Sequence, residues 1–337
     1  MILRSVALSL SALVLCAADY PPPPAQLEPY VKDGRFDPGD YGWMKGRFGD
    51  ATPEERQTHA AINDWAGACR EAARAELGLA LREAGYTEAI DRAPVPMLRC
   101  LNFAQPQLPD DTSFATFQQE LAAARPVVEA YLVAVELAEQ SSRPAGRSPD
   151  LARMLETRPV GEQMIRRALF WGQGMPAGTP MLSQTGRAIV QSRLGAAMTA
   201  RDHANTEWLK GIVAEHGWPT ISQVGEEAAF NAWLLVQHAD HDPLFQFQAL
   251  RLMEPLVAQG EVTKQNYAYL YDRIMLKLSG KQRYATQVMC RDGERQPQPL
   301  EDEANVERLR SEMGLPTVAE YLAVFTTTCE GPPGTPR

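Results

Sequence analysis

The spacing of apolar residues along this chain is typical of α-helices, and the pattern is clearest after residue 52. Thr52 offers a capping hydroxyl, Pro53 stands at the first helical position, and two acids follow in the first turn. Apolar residues then recur at steps of three and four from Ile62 to Ala80, and Gly85 ends the pattern. Such a stripe marks the buried face of one helix, so this segment is predicted to be helical.

Similar patterns predict most of the remaining fold. Helices are expected at about 112–140, 149–156, 160–173, 181–202, 205–216, 224–239, 244–257 and from 263 onward, with shorter ones at 302–313 and 317–326. In this interpretation His203 lies in a loop between two helices. No stretch alternates apolar with polar residues or is rich in β-branched residues, so no strands are expected. The sequence therefore predicts an all-α, multi-helix bundle-like globular protein with an extended, proline-rich N-terminal arm.

The first 18 residues have the order of a secretory signal peptide. Arg4 gives a positive start, an apolar run follows, and small residues precede Asp19. The run is shorter than the roughly 20 apolar residues that span a bilayer. Cleavage after Ala18 is expected, which predicts a periplasmic or secreted protein. A lipoprotein acylated at Cys16 and an uncleaved membrane anchor are the alternatives.

Cysteine usage agrees with export. Four cysteines remain after the predicted cleavage, namely Cys69, Cys100, Cys290 and Cys329. An even number in an oxidising compartment indicates disulfides, and the local pairs Cys69–Cys100 and Cys290–Cys329 are favoured. Buried free thiols are the alternative. None of the spacings is that of a structural zinc site.

The chain is acidic, with a formal net charge of −9, and the predicted cleavage removes Arg4 and no acid. No cluster of lysine and arginine provides the basic surface that nucleic acid or an anionic membrane requires. No segment after residue 18 is long and apolar enough for a transmembrane helix. We therefore expect a soluble chain whose partner is an unknown small molecule or protein.

Proline and glycine suggest how the chain is divided. Pro21 to Pro24 begins a stretch that cannot be helical, so residues 19–50 are expected to form an arm or linker. Residues 141–148, rich in Arg, Pro and Gly, predict a boundary between an N-terminal helical region (51–145) and a helical domain (149–290). Residues 291–337 are expected to form a tail with short helices.

Rare residues gather between His203 and Gln287, which include four of the five histidines and three of the six tryptophans. His216 is expected at a helix end before Gly217, and Asp242 is expected to cap the helix that begins at Pro243. The other polar residues are the candidate ligand-binding residues: Gln237, His238, His241, Tyr269, Asp272 and Arg273. Internal hydrogen bonds that fix helix packing are the alternative interpretation of this group.

Four motifs occur in order in this region. They are His216-Gly-Trp-Pro-Thr220, Gln237-His-Ala-Asp240 with Asp242-Pro243, Tyr267-Ala-Tyr-Leu-Tyr-Asp-Arg273 and Tyr284-Ala-Thr-Gln287. Together they resemble an uncharacterised bacterial domain family over about residues 200–290. The resemblance implies a domain and no particular reaction, because the family is one of unknown function. Its members tend to have glycine where this chain has Ala285.

The chain also resembles metal-dependent phosphohydrolases that carry a His…His-Asp…Asp signature and are all-α. His203 or His216, then His241-Asp242, then Asp272 follow that order. In those hydrolases the His-Asp pair lies within a helix, whereas here Pro243 places Asp242 at a helix start. The final Asp also comes early in the chain.

The sequence assigns no catalytic residue, and no metal or cofactor is predicted. It contains no GxSxG, P-loop or HExxH motif. The corner formed by Gln237, His238, His241 and Arg273 is interpreted first as a binding site for a polar ligand or partner. A metal- or histidine-assisted hydrolase that uses the same corner is the alternative, and a purely structural polar cluster is the third hypothesis.

Overall fold

A computed structural model describes most of the chain after the predicted signal peptide. The described residues are 20–32, 35–88, 90, 100, 106–109, 111–144, 150–169, 182–325 and 329. The predicted signal peptide (1–18), with Cys16 and the cleavage site, lies outside them. Within the described residues the fold is mostly α-helical, as the sequence predicts.

Two long helices begin where the sequence places helix starts. Helix α1 spans Pro53–Glu83, and helix α2 spans Phe114–Ser142. At the start of α1 the Thr52 hydroxyl accepts from the Glu55 N–H at 3.2 Å, and the Glu55 carboxylate accepts from the Thr52 N–H at 2.8 Å. This reciprocal pair satisfies two backbone donors that a helix end leaves without partners.

Helices α3 (Leu151–Thr157), α4 (Val160–Ala168) and α5 (Gln184–His216) follow. Helix α5 is continuous over 33 residues. The prediction of two helices with His203 in a loop is therefore wrong. The polar residues that suggested a break have partners on neighbouring elements: Arg158 donates to Asn205 and Arg166 donates to Asp202. These contacts let a polar stretch remain helical inside the protein.

The next segment contains helices α6 (Ile221–Val224), α7 (Glu226–Gln237), α8 (Pro243–Val257) and α9 (Lys264–Leu278). Gly225 has a φ of +84°, a conformation that favours glycine, and it separates α7, expected at 224–239, from the short helix α6, which the sequence does not predict. The Asp242 carboxylate accepts from the Phe245 N–H at 2.9 Å, so Asp242 caps α8 as predicted.

Two short hairpins add strands that the sequence does not predict. Strands β1 (Val31–Lys32) and β2 (Arg35–Phe36) are antiparallel, as are β3 (Val288–Arg291) and β4 (Glu294–Pro297). Strands of two to four residues are too short to show alternation in a sequence. Asp292 and Gly293 connect β3 to β4 with φ values of +54° and +82°, the conformation of a tight two-residue turn. Helices α10 (Val306–Glu312) and α11 (Val318–Ala323) complete the described fold.

The segment from Tyr20 to Asp50 packs against the helices, which corrects the expectation of a surface arm. Leu27, Tyr41 and Met44 are fully buried in it. A Cβ atom added at Gly46 would lie 2.0 Å from the backbone oxygen of Glu55 in α1, an approach that only glycine allows. The proline run suggested a spacer, but the apolar and aromatic residues that follow it supply enough surface to be buried.

Two hydrophobic clusters form the core. One joins the 20–50 segment to the first half of α1 and to α2, α4 and the first half of α5. The other is built around α7, α8 and α9 and includes the ends of α1 and α5. Helices α1 and α5 contribute residues to both clusters.

Disulfides join Cys69 to Cys100 and Cys290 to Cys329, the local pairs that the sequence favours. The first connects α1 to the segment after it, and the second connects β3 to the end of the described chain. Among the described residues, no helix is both long enough and apolar enough to cross a membrane.

Candidate functional site

The structure separates the six predicted ligand-binding residues into different environments. Gln237 and His238 lie at the end of α7, and His241 lies in the turn before α8. Tyr269, Asp272 and Arg273 lie on α9. The three residues on α9 each have partners of their own, which are described first.

Asp272 holds a loop and is fully buried. Its carboxylate accepts from the backbone N–H groups of Arg283, Tyr284 and Thr286 at 2.8–3.2 Å. Ala285 lies inside this loop with a φ of +53°, a left-handed conformation that glycine adopts more readily. Burial raises the pKa of Asp272, and the three N–H donors oppose that effect. These contacts account for Asp272 as a structural residue of the Tyr284–Gln287 motif.

Arg273 is paired with the last residue of the Gln237–Asp240 motif. Its Nε donates to Asp240 Oδ1 at 2.8 Å, and Lys277 contacts the same carboxylate while donating to Gln246 Oε1 at 2.8 Å. Burial alone would raise the pKa of Asp240, but Arg273 and Lys277 lower it well below its usual range. Burial lowers the pKa of Lys277 to about 8, against the effect of Asp240. This network connects α9 to the turn before α8.

Tyr269 contacts the C-terminal part of the chain. Its ring lies edge-on to that of Tyr321 in α11, with centroids 6.3 Å apart. The Tyr321 hydroxyl in turn donates to the Thr286 carbonyl oxygen. Tyr269 thus packs in the same region as the loop that Asp272 holds.

His238 takes part in a buried cluster with two carboxylates that the sequence does not single out. Its Nδ1 lies 2.8 Å from Oε1 of Glu162 in α4. Asp202, in the middle of α5, is the third member, and one ligand atom from each of the three residues lies within 4.8 Å of the others. Glu162 and Asp202 are 1 % and 7 % exposed. Two acids in such positions are uncommon without a compensating charge.

The charges around the cluster shift its protonation. Burial, followed by the neighbouring Glu162 carboxyl, raises the pKa of Asp202 to about 8, although Arg166 opposes this at 2.7 Å. Burial and Arg166 lower the pKa of His238 to about 4, so its imidazole is neutral near pH 7. A cation binds to a neutral imidazole and ionised carboxylates, so an ion bound here would displace the proton from Asp202.

Several buried polar atoms at this place have no hydrogen-bond partner within the described part of the chain. Glu162 Oε2, Asp202 Oδ1 and Gln237 Oε1 are three oxygens of this kind, and His203 Nδ1 and His241 Nε2 are two ring nitrogens. The rings of His203 and His241 are 5.5 Å apart and edge-on. An unpaired buried polar group costs about 1–3 kcal/mol, so these atoms are candidate contacts for an ion, a polar ligand or ordered water.

Three helices position this cluster. Glu162 faces inward from the first turn of α4, Asp202 and His203 project from α5, and Gln237 and His238 end α7. Arg166, one turn after Glu162, donates to Asp202 Oδ2 and connects α4 to α5. Neither acid stands out in the sequence: Glu162 lies among other polar residues of α4, and Asp202 is marked by the Asp202-His203 pair.

The phosphohydrolase-like order does not assemble into one site in the described structure. Asp272 is used by the loop at 283–286, and Asp242 caps α8 while pairing with Lys210 at 2.7 Å. His216 is exposed at the end of α5, where it has the helix-end position that the sequence predicts. Of that set, His203 and His241 alone lie together, through their ring contact.

Comparison with known proteins gives one match. Residues 180–329 match the model of a Family of unknown function (DUF6624). No curated protein and no solved structure matches the chain. The matched segment contains Asp202, His203, Gln237, His238 and His241, whereas Glu162 precedes it. From α5 to the second disulfide, the chain thus matches an uncharacterised domain family, as the sequence motifs predict, and over a longer stretch than residues 200–290.

Proposed function

We propose that this protein binds a divalent transition-metal ion through Glu162, Asp202 and His238. The observation that carries this proposal is the convergence of two nearly inaccessible carboxylates and one imidazole from three helices. Each carboxylate keeps one oxygen without a partner in the described structure. Mixed oxygen and nitrogen donors suit ions such as Zn²⁺, Mn²⁺ and Fe²⁺.

The distances support an ion of this kind. An ion with ligand bonds of about 2.1 Å holds its ligand atoms about 3 Å apart when they are adjacent and about 4.2 Å apart when they are opposite. The separation of 2.8 Å between His238 Nδ1 and Glu162 Oε1 fits adjacent ligands. All three ligand atoms lie within 4.8 Å of one another, so the longest pair exceeds the distance between opposite ligands by at most about 0.6 Å.

The electrostatics also favour a cation. Arg166 supplies one positive charge beside two carboxyl groups, so one negative charge is left uncompensated when both are ionised. Without an ion, a proton on Asp202 would relieve this repulsion. A divalent cation would replace that proton and bind both carboxylates.

The polar-ligand site that the sequence predicts at this corner then involves fewer residues. Arg273 is engaged by Asp240, so it does not supply a free positive charge. Gln237, which precedes His238 in the chain, and His241 each have a side-chain atom without a partner in the described residues. We place these two residues as contacts for water or a polar ligand bound to the ion.

Export is the second part of the proposal. The two disulfides of the described structure are compatible with an oxidising compartment, and the first 18 residues have the pattern of a signal peptide. N-terminal sequencing of the protein from the periplasm or culture medium would test it. We expect the mature chain to begin at Asp19, and a mature protein that retains Met1 would contradict export by cleavage.

The metal proposal is tested by calorimetric titration of the oxidised, chelator-treated protein with Zn²⁺ and Mn²⁺. We expect one ion per chain, and a higher midpoint of thermal unfolding when the ion is present. Glu162→Gln and Asp202→Asn each remove a ligand charge with little change in shape, so we expect the affinity to fall about tenfold or more.

Glu207→Gln is the matched control, because Glu207 is an exposed acid on the same helix as Asp202. Its affinity should equal that of the unchanged protein. Absence of stoichiometric binding would refute the proposal, as would equal affinities for the Glu162 variant and the control. A purely structural cluster would give that second result.

A second candidate function, hydrolysis by an ion-bound water, is favoured by the His203–His241 pair. His203 follows Asp202 directly on α5, and each ring of the pair has a nitrogen without a partner in the described residues. An imidazole in this position can accept a proton from water as the water attacks a phosphate ester or carboxylic ester, whose leaving group departs as the alcohol.

The assay for this function is turnover of bis(p-nitrophenyl) phosphate and p-nitrophenyl acetate by the Mn²⁺- or Zn²⁺-loaded protein. We expect His241→Gln to lower kcat by about 100-fold with the ion affinity unchanged. His216→Gln, an exposed histidine at the end of α5, is the control. Ion binding without turnover on either ester class would leave the binding function standing and exclude hydrolysis of these substrates.

A further inference from the structure

A cavity lies between the loop before α6, helix α7 and the start of α9. None of the carboxylate-cluster residues lines it. Its volume is about 380 Å³, within the range of about 300–1,000 Å³ that is usual for small-molecule pockets. Trp218 of the His216–Thr220 motif forms part of its wall, together with Phe230 and Trp233 from successive turns of α7. The metal proposal uses none of these residues.

The wall of this cavity is aromatic on one side. Trp218 and Trp233 are buried, whereas Phe230 is 45 % exposed, which is unusual for so large an apolar side chain. The rings of Phe230 and Trp233 are tilted by 44° with centroids 5.2 Å apart. Ring faces of this kind attract cations, and tryptophan does so most strongly.

The charges at the cavity have one sign. Glu226 and Glu261 line it, and its lining contains no lysine, arginine or histidine. Glu261 accepts from the Ser222 N–H at 2.8 Å, a hydrogen bond that lowers its pKa and keeps it ionised at neutral pH. Glu226 is an exposed acid at the start of α7. The cavity therefore repels anions and favours a positively charged ligand.

Trp233 adds a hydrogen-bond requirement. It is 9 % exposed, and its Nε1 has no partner within the described residues. A buried indole N–H usually finds an acceptor; an ammonium ion supplies none, so a water molecule that enters with the ligand can satisfy it. Gln265 and Asn266 provide further polar contacts at the start of α9.

We propose that this cavity binds a small organic ammonium ion, whose apolar body packs on Trp218, Phe230 and Trp233 while Glu226 and Glu261 neutralise its charge. This assignment is independent of the metal proposal, because the two sites share no residue.

The experiment compares three ligands of nearly equal size by calorimetry and tryptophan fluorescence: benzylamine, benzyl alcohol and benzoate. The full-length, oxidised protein is used without added metal. We expect saturable binding of benzylamine about tenfold tighter than that of benzyl alcohol, and no binding of benzoate. Equal binding of the amine and the alcohol, or no binding of the amine, would overturn the proposal.

Two variants localise the binding. Glu226→Gln removes one charge at an exposed position, and Trp233→Phe replaces the indole with a ring that attracts a cation less strongly, so each should weaken benzylamine binding several-fold. Glu254→Gln, an exposed acid on α8 outside this cavity, is the control and should bind as the unchanged protein does. If Trp233→Phe lowers stability, Glu226→Gln alone decides the matter, and an unchanged affinity in that variant would refute the site.

Discussion

Replacing Asp272 should be among the most destabilising single changes in this protein. Its carboxylate has no exposed surface and holds the backbone N–H groups of Arg283, Tyr284 and Thr286. A hydrogen bond to a charged group contributes about 1.5–3 kcal/mol, and a buried donor left without a partner costs about 1–3 kcal/mol. Desolvation of the carboxylate offsets part of this gain, so we expect Asp272→Ala to lower the free energy of unfolding by about 3–5 kcal/mol.

Asp272→Asn is the sharper test because it preserves shape. In this variant Oδ1 still accepts from Arg283 and Tyr284, but an NH₂ group replaces Oδ2 and faces the Thr286 N–H. The new NH₂ group and the Thr286 N–H are both donors, so the hydrogen bond between these positions is lost. We expect the free energy of unfolding to fall by about 2–3 kcal/mol.

The assay for both variants is urea unfolding of the oxidised protein, followed by far-UV circular dichroism. Asp292→Asn is the control, since Asp292 lies exposed in the β3–β4 turn and asparagine tolerates its positive φ. It should change stability by less than about 0.5 kcal/mol. If Asp272→Asn unfolds at the same urea concentration as the control, the carboxylate does not hold the loop. If it instead abolishes metal binding, Asp272 belongs to the ion site and its separation from the site is wrong.

Three further changes test the packing of the fold, each by the same unfolding assay. Gly46→Ala should lower stability by about 2 kcal/mol or more, because the added Cβ would lie 2.0 Å from the Glu55 backbone oxygen and the backbone of α1 cannot yield cheaply. Gly293→Ala should cost about 1 kcal/mol from its φ of +82° alone, since nothing lies within 4 Å of the new Cβ. Removing the Cys290–Cys329 disulfide by a double change to alanine should cost about 3–4 kcal/mol, from the 39-residue separation that it closes.

The sequence predicts best those features that depend on neighbours within a few residues. Thr52, Ser113, Asp242 and Thr263 all cap helices where their residue types indicate a start, each by accepting an N–H three residues onward. Such contacts are visible in the sequence because both partners lie in the same turn. The all-α class follows from the same local patterns.

Features that depend on contacts between residues far apart in the chain are not predicted from the sequence. The polar stretch around Asp202 and Asn205 looked like a break between two helices. It stays helical because Arg158 and Arg166, about 40 residues earlier in the chain, pair with it in the folded protein. The buried 20–50 segment is a similar case, since its aromatic residues find their partners on α1 and α2.

The candidate site likewise contains residues that the sequence singles out and residues that are brought together only by folding. Rare residue types single out His238, whose Nδ1 lies 2.8 Å from Glu162 Oε1, and His241, whose ring contacts that of His203. Glutamate is a common residue type, so the sequence does not single out Glu162. It becomes a candidate ligand because α4 packs against α5 and places it close to Asp202. The sequence places Asp272 among the same candidate residues as the histidines. The loop whose N–H groups it binds lies 11 to 14 residues further along the chain.

The position of Glu162 bears on whether other proteins of the matched family would have the proposed metal site. Asp202 and His238 lie inside the segment that matches the family of unknown function, and Glu162 lies before it. Two ligands alone leave an ion largely hydrated and weakly held, whereas a third buried carboxylate adds both charge and geometry. Under the metal proposal, affinity therefore depends on α4 as much as on the family-like segment. The packing of α4 on α5, including the Arg166–Asp202 bond, is then part of the binding site.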